Sequence, residues 1–237
     1  MVNNFVIKLG GSVVSTKDRI FDFEYIGKLK NLLLGYINKG CRFGVVLGGG
    51  LVMRKYRDLA IKYGKIDDTD SLHWIGTAVN VLHAEITRTV FGNLSFERPM
   101  IYDDYFFDIK DEKFLQYPVV IGGGAKAGFS GDMCALLLSQ KLNSDTIISL
   151  KNIDYLYTKD PRYDKTAEIV KKASWDEYFQ IIDFENKHTP GGNYIVDPIA
   201  SKEAKKMNKK FVIIKGDELD NLQNYLSGLD FKGSIIG

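Results

Sequence analysis

The sequence predicts an α/β fold, with a mainly parallel β-sheet covered by helices on both faces. Short apolar runs, typical of buried strands, alternate with segments whose apolar residues repeat every three or four positions, as in helices. Three of the apolar runs lead into glycine clusters, at Gly10-Gly11, Gly48-Gly49-Gly50 and Gly122-Gly123-Gly124. Alternating strands and helices favour parallel order, because each helix returns the chain to the same end of the sheet.

The apolar runs predict five buried strands, with helices between them. The strands cover residues 5–9, 43–47, 118–121, 146–150 and 211–214. The helices cover residues 23–37, 51–63, 72–91, 132–142, 175–182, 198–207 and 219–226. Asp22 is placed to cap the first helix, and Gly40 to end it. Residues 93–117 fit neither pattern, and their aromatic residues are expected to cover a sheet edge or an oligomer contact: Tyr102, Tyr105, Phe106 and Phe107.

Composition excludes several classes of protein. The chain has 237 residues, 45% of them hydrophobic, and a net charge of +2 from 32 basic and 30 acidic residues. That balance argues against nucleic acid as a partner. The chain shows no signal-peptide pattern and no 18-residue apolar run, so we expect no membrane partner. Cys41 and Cys134 are far apart and indicate reduced thiols, so the cytoplasm is the expected location.

Glycine clusters after strands are typical of sites for anionic groups. Ligands of open α/β sheets bind beyond the carboxyl ends of the strands. A glycine lets the backbone approach a phosphate, and the following helix offers unpaired N–H groups. A single cluster is as typical of a tight turn, but three in one chain favour phosphate binding. The sequence has no P-loop pattern.

Lys8 precedes the first glycine pair, in Lys8-Leu9-Gly10-Gly11-Ser12. We expect its ammonium group to lie over the turn, where a fixed positive charge stabilises a transferring phosphoryl group. The alternative is a lysine that only extends from a strand end into solvent. The motif favours a phosphotransferase that acts on a small molecule.

Charged residues also follow the second glycine cluster and the third. Arg54 and Arg57 share a helix face, where they either grip an acceptor phosphate or form an exposed helix start. In Ser130-Gly131-Asp132, the aspartate caps a helix, orients Lys8 or holds Mg²⁺ on a nucleotide. The loop at 152–161 is acidic and aromatic, which suits an adenosine.

The histidines give no sign of a metal held by the protein itself. His73 and His83 are ten residues apart on one predicted helix, and His188 lies in a predicted loop. This is not a metal-ligand spacing.

Five motifs resemble those of the amino acid kinase family, in the order that the family shows. Two are the first turn, Lys8 to Ser12, and Val46-Leu47-Gly48-Gly49-Gly50 followed by Arg54-Lys55-Tyr56, which is similar to uridylate (UMP) kinases of the archaeal type. Asn152-Ile153-Asp154-Tyr155-Leu156-Tyr157 with Asp160-Pro161 is similar to the family's nucleotide loop. Asp197-Pro198-Ile199-Ala200 and Lys232-Gly233-Ser234-Ile235-Ile236 complete the pattern.

The resemblance implies a three-layer αβα sandwich and direct in-line transfer from MgATP, most closely from ATP to UMP in pyrimidine nucleotide synthesis. It implies a single kinase domain over residues 1–237, with an acceptor-binding lobe at about 1–145 and an ATP-binding lobe at about 146–237. It also implies a homo-oligomer, a dimer or a hexamer, with the helix at 72–91 as a contact.

The resemblance also assigns roles to individual residues. Lys8 stabilises the transferring group, and Asp132 organises the site. The residues expected to bind ATP are Gly10, Gly11, Ser12, Asn152, Asp154, Tyr157 and Asp160. The residues expected to bind the acceptor are Gly48, Gly49, Gly50, Arg54, His73, Gly123, Gly124 and Ser130.

Departures from the uridylate kinase pattern fall on the acceptor side. His73 replaces the aspartate that meets the ribose, Val81 the archaeal arginine and His83 the usual asparagine. With Gly131, the stretch Ser130-Gly131-Asp132 is closer to the corresponding motif of isopentenyl phosphate kinases. A kinase for another small phosphate or phosphonate is therefore an alternative, and a non-catalytic oxyanion-binding protein on the same fold is a second.

Overall fold

The computed structural model describes residues 3–102, 112–125, 129–183 and 194–237. The strands are β1 (Asn4–Leu9), β2 (Arg42–Leu47), β3 (Met100–Tyr102), β4 (Val119–Ala125), β5 (Thr146–Lys151), β6 (Leu156–Tyr157), β7 (Ile169–Val170), β8 (Lys172–Ala173), β9 (Lys210–Lys215) and β10 (Ser234–Ile236). The α-helices are α1 (Gly11–Val14), α2 (Phe23–Ile37), α3 (Gly50–Gly64), α4 (Thr69–Phe91), α5 (Gly131–Lys141), α6 (Trp175–Ile181), α7 (Pro198–Lys206) and α8 (Leu219–Leu226). Two short 3₁₀ helices cover Gly92–Leu94 and Glu112–Gln116.

Eight of the strands in the described part of the chain form one sheet, in the order β3-β4-β2-β1-β5-β9-β10-β8. Each neighbouring pair is parallel except β9 and β10. The strands β6 and β7 form a separate antiparallel pair. The prediction of a largely parallel sheet is confirmed.

Helices cover both faces of this sheet, because successive side chains of its central strands point to opposite sides. On β1, Val6 packs into a core that includes Leu136 of α5 and Trp175 of α6. Its neighbour Ile7 packs into a second core, with Leu29 of α2. The three-layer αβα sandwich is therefore confirmed, with α5, α6 and α7 on one face and α2, α4 and α8 on the other.

Side-chain caps fix where several helices begin. The Asp22 carboxylate accepts a hydrogen bond from the Tyr25 N–H at 2.9 Å, as predicted for the start of α2. The Asp68 carboxylate does the same for α4, from the Ser71 N–H at 2.8 Å. Gly40, just after α2, has a φ of +89°, a conformation that favours glycine.

The third glycine cluster corrects the sequence prediction. Gly122, Gly123 and Gly124 are not a turn but part of β4. Helix α4 packs closely on them: a Cβ on Gly123 would lie 2.8 Å from the Asn80 carbonyl oxygen, and one on Gly124 would lie 2.7 Å from Val81 Cγ2. These glycines make room for a helix.

The region around residues 93–117 contains a strand that the sequence did not predict, the short edge strand β3. Of the aromatic residues expected to cover an edge or a contact, Tyr105, Phe106, Phe107 and the Tyr102 side chain lie outside the described residues, as does His188. No helix in the described ranges is both long enough and apolar enough to cross a membrane.

Candidate active site

The site lies at the carboxyl ends of four adjacent strands. In the sheet, β1 lies between β2 and β5, and β9 follows β5. Leu9 is in register with Leu47 and Leu150, so the turns after these strands lie side by side. A cleft of about 1180 Å³ opens above them. That volume exceeds the usual range for one drug-sized ligand, so the cleft has room for two substrates.

Most residues predicted to bind a ligand line this cleft. They are Gly10, Gly11, Ser12, Gly48, Gly49, Gly50, Arg54, His73, Ser130, Asn152, Asp154, Tyr157 and Asp160. Lys8 also lines it. Gly123 and Gly124, which were also predicted to bind the acceptor, are not among the described residues that line the cleft. Their close neighbours belong to α4.

The two glycine turns touch each other through their backbones. A Cβ on Gly11 would lie 2.0 Å from the Gly50 nitrogen, and one on Gly50 would lie 2.2 Å from the Gly11 carbonyl oxygen. Gly50 also has a φ of +55°. The Gly48 N–H donates to the Leu9 carbonyl at 3.1 Å, and the Gly10 N–H donates to the Leu150 carbonyl at 2.8 Å. Only glycine fits where the two turns meet.

At the floor of the cleft, one carboxylate lies between two lysines. The Lys8 Nζ is 3.1 Å from Asp132 Oδ1, and the Lys151 Nζ is 3.5 Å from Asp132 Oδ2. All three side chains are mostly buried, with 12%, 7% and 14% exposure for Lys8, Asp132 and Lys151. Two positive charges against one negative leave the group with an excess of one positive charge.

The mutual contacts shift the pKa of two members of this group. Burial raises the pKa of Asp132, but the charges of Lys151 and Lys8 outweigh it and bring the pKa down to about 2. Burial lowers the pKa of Lys151 to about 8, with the nearby Lys8 charge acting in the same direction and Asp132 opposing it. Asp132 is therefore an anion at neutral pH, and Lys151 is a cation that loses its proton easily.

Local structure holds Asp132 in place. Ser130 caps α5 by accepting a hydrogen bond from the Met133 N–H at 3.2 Å, so the capping role considered for Asp132 belongs to Ser130. Gly131 lets Lys8 approach, because a Cβ there would lie 3.3 Å from Lys8 Cε. The Asp197 N–H donates to Asp132 Oδ2 at 3.1 Å. Among the roles predicted for Asp132, the orientation of Lys8 fits this geometry.

Helices α3 and α4 form one wall of the cleft. Arg54 and Arg57 line it from α3. One face of α4 lines it at a spacing of three and four residues, through His73, Gly76, Thr77 and Asn80. The Asn80 Oδ1 atom is buried and has no hydrogen-bond partner among the described residues.

The loop at 152–161 also lines the cleft. The Tyr157 hydroxyl donates to Asp154 Oδ1 at 2.9 Å. Asp160 binds the Arg162 guanidinium through both carboxylate oxygens, with a shortest distance of 2.6 Å. Tyr155 lines a separate surface groove, so it does not fill the cleft.

Two of the acceptor-side departures in the sequence do not face this cleft. His83 is 1% exposed, and its Nδ1 lies 3.0 Å from the Gly48 carbonyl oxygen, behind the second glycine turn. Val81 packs against Gly124. His83 and Val81 therefore say little about the substrate. The α4 residues that line the cleft, and so bear on substrate choice, are His73, Thr77 and Asn80.

Lys151 is the main site residue that sequence reasoning missed. It ends β5 at the same edge as the Lys8 turn, but a lysine after an apolar strand is also a common exposed residue. Strand order was the missing information, since only adjacency of β1 and β5 brings the two lysines together. Burial raises the pKa of the Cys134 thiol to about 12, so that thiol is not a nucleophile at neutral pH.

Comparison with known proteins gives consistent matches over nearly the whole chain. The sequence pattern of the "Amino acid kinase family" matches residues 3–99 and 112–215. Uridylate kinase from Sulfurisphaera tokodaii is 29% identical over 230 residues, which is 94% of this chain and 97% of that protein. Uridylate kinase from Sulfolobus acidocaldarius is 27% identical over 214 residues, which is 90% and 91% of the two chains.

Solved structures show the same fold. The crystal structure of uridylate kinase from Archaeoglobus fulgidus superposes with a TM-score of 0.78 at 25% identity, and covers 98% of this chain and 100% of that one. UMP kinase from Bacillus anthracis superposes with a TM-score of 0.76 at 21% identity, covering 99% and 96% of the chains.

Proposed function

The chain belongs to the amino acid kinase family, and from this premise we propose that it phosphorylates UMP to UDP with ATP. The observation that carries the proposal is the buried group of Lys8, Asp132 and Lys151, which leaves an excess positive charge at the floor of a two-substrate cleft. Two uridylate kinases match the chain over nine-tenths or more of its length. The product would enter pyrimidine nucleotide synthesis.

In this reaction the chain contributes position and charge. Lys8 and Lys151 are the catalytic cations, and they stabilise the negative charge that spreads over the phosphoryl oxygens during in-line transfer. Asp132 is a positioning residue, because it holds both ammonium groups through its two oxygens. The glycine turns bring backbone N–H groups close to phosphates, which a side chain in their place would prevent.

In this proposal, the two substrates are bound by different sets of residues in the cleft. The donor is MgATP, which brings its own magnesium as part of the substrate. Gly10, Gly11 and Ser12 bind its phosphates, and Asn152, Asp154, Tyr157 and Asp160 its nucleoside. The acceptor lies against Gly48, Gly49, Gly50, Arg54, His73 and Ser130. In this proposal the acceptor lobe covers about residues 1–145, and the ATP lobe about residues 146–237.

The test is ADP release with a panel of acceptors: UMP, CMP, isopentenyl phosphate and a small phosphonate. We expect turnover with UMP and at least 100-fold loss in Lys8→Ala, since one such electrostatic group is worth about that much. Lys141→Ala, on the exposed end of α5, is the control and should match the unsubstituted protein.

Three results would contradict the proposal. Turnover of another acceptor with UMP inert would make the chain a sibling kinase. Binding of ATP or an oxyanion without turnover would favour a binding protein. Full activity in Lys8→Ala would remove the role given to Lys8.

We also propose that the chain forms a homo-oligomer, a dimer or a hexamer, in the cytoplasm. The support for an oligomer is an exposed apolar stripe on α3 and α4, made of Tyr56, Leu59, Tyr63, Trp74 and Leu82. The support for the location is the two free thiols, Cys41 and Cys134.

A further inference from the structure

His83 lies directly behind the second glycine turn, on the side away from the cleft. It belongs to α4, is 1% exposed, and its Nδ1 is 3.0 Å from the Gly48 carbonyl oxygen. Its ring also packs against Phe21, with the ring centroids 5.2 Å apart. These contacts fix the ring in one orientation.

The chemistry of the contact determines which group donates. A carbonyl oxygen only accepts, so the Nδ1 of His83 carries a hydrogen and donates to Gly48. Burial lowers the pKa of His83, so the ring is neutral at physiological pH. The result is a neutral, buried donor that serves one backbone carbonyl.

The Gly48 residue is held on both sides. Its N–H donates to the Leu9 carbonyl at 3.1 Å, and its carbonyl accepts from His83 at 3.0 Å. In a trans peptide, the N–H of the next residue points opposite to the carbonyl. Because the Gly48 carbonyl points towards His83, the Gly49 N–H points away from His83, on the side where Gly49 lines the cleft.

We propose that His83 is a positioning residue for the acceptor: it fixes the Gly48–Gly49 peptide so that the Gly49 N–H is presented to the acceptor's phosphate. This inference rests on the proposed function. It gives His83 a place in the reaction without any contact to the substrate.

The experiment compares three substitutions at His83. His83→Asn keeps a donor near the Nδ1 position, because a carboxamide nitrogen lies at the same distance from the backbone. His83→Leu keeps the bulk and removes the donor. His83→Gln places its donor one bond further out. Phe91→Leu, buried two turns along α4, is the matched control for packing.

We expect His83→Leu and His83→Gln to raise the KM for UMP by about tenfold, which is the effect of one lost hydrogen bond. The KM for ATP should change less than threefold. His83→Asn and Phe91→Leu should keep the KM for UMP within about threefold of the unsubstituted value, on the same scale. If His83 had a purely structural role, its substitution would lower the fraction of folded, active protein and hence the apparent kcat, and would leave the KM for UMP unchanged.

Two results would overturn the inference: an unchanged KM for UMP in folded His83→Gln or His83→Leu, or equal increases in His83→Asn and His83→Leu. If His83→Leu does not fold, the comparison of His83→Asn with His83→Gln decides. If the unsubstituted protein does not use UMP, the proposed function fails separately. The positioning role is then measured as the affinity for inorganic phosphate, which should fall in His83→Gln and recover in His83→Asn.

Discussion

At the scale of single residues, the site depends on how one carboxylate is shared. Asp132 pairs with Lys8 through one oxygen and with Lys151 through the other. Burial strengthens both attractions, because the low local dielectric does not screen them. The same burial makes Lys151 easy to deprotonate, since it lowers the pKa of this lysine from an ordinary 10.5 to about 8. The charge of the site therefore changes within the mildly alkaline range.

This leads to a prediction about pH. As pH rises through about 8, Lys151 loses its proton, so kcat/KM for UMP should fall. Lys151→Arg keeps its charge and should flatten this decline. Lys151→Met should lower kcat/KM by about 100-fold and also show no decline near that pH. The measurement is initial-rate ADP release across the alkaline range.

Unfolding would not produce this profile. Between its folded pKa of about 8 and its ordinary pKa of 10.5, Lys151 binds fewer protons in the folded state than in the unfolded chain. Its contribution to stability therefore rises with pH in that range. A decline in kcat/KM that persists in Lys151→Arg would show that Lys151 is not the titrating group.

The sequence predicted that Asp132 lies beside Lys8, because a motif marks each of them, and the structure shows this contact. It missed Lys151, whose role depends on strand order. It misjudged His83, which the resemblance placed at a substrate-reading position. Helix spacing could not have corrected this, because His83 follows Asn80 by three residues and stays near the same face of α4. What removes His83 from the cleft is a tertiary contact, its packing against the Gly48 carbonyl.

At the scale of elements, the two glycine turns act as one unit. Gly11 and Gly50 are in direct backbone contact, with no side chain between them. The turn after β1 and the turn after β2 therefore keep a fixed spacing. The spacing of the two turns therefore follows from backbone geometry alone, and in the proposed reaction it also sets the spacing of the two phosphates that the turns bind.

We predict that Gly11→Ala separates the turns. Its Cβ would lie 2.0 Å from the Gly50 nitrogen, so the backbone must move. Affinity for both ATP and UMP should fall by at least tenfold, which isothermal titration calorimetry can measure. Gly35→Ala, on the open surface of α2, is the matched control. It should keep both affinities and stabilise the fold by ~0.5–1 kcal/mol. Loss of only one affinity in Gly11→Ala would contradict the coupling of the turns.

The elements that sequence predicted well are those buried on both faces. The five long apolar runs became β1, β2, β4, β5 and β9, because a parallel strand in the middle layer is apolar throughout. The short strands β3, β6, β7, β8 and β10 have two or three residues each and no pattern long enough to read. The glycines of β4 were mistaken for a turn because their partner, α4, is distant in sequence.

At the scale of the whole molecule, the apolar stripe on α3 and α4 is the surface that we assign to self-association. We predict that Leu82→Glu reduces the mass in solution to that of a monomer, because it places a charge in the buried contact. Leu229→Glu, at an exposed leucine outside the stripe, is the control. Light scattering after size exclusion measures both. A monomeric unsubstituted protein, or an unchanged oligomer in Leu82→Glu, would contradict this assignment.

The contact between the glycine turns also has a consequence for how new substrates arise on this fold. In the proposed reaction, the backbone contact between the turns sets the distance between donor and acceptor, whereas side chains on one face of α4, among them His73 and Asn80, would recognise the acceptor. Mutations on that helix face can therefore alter acceptor choice while the catalytic floor stays intact. A lineage, or a protein engineer, can exchange the substrate of such a kinase without having to rebuild its chemistry.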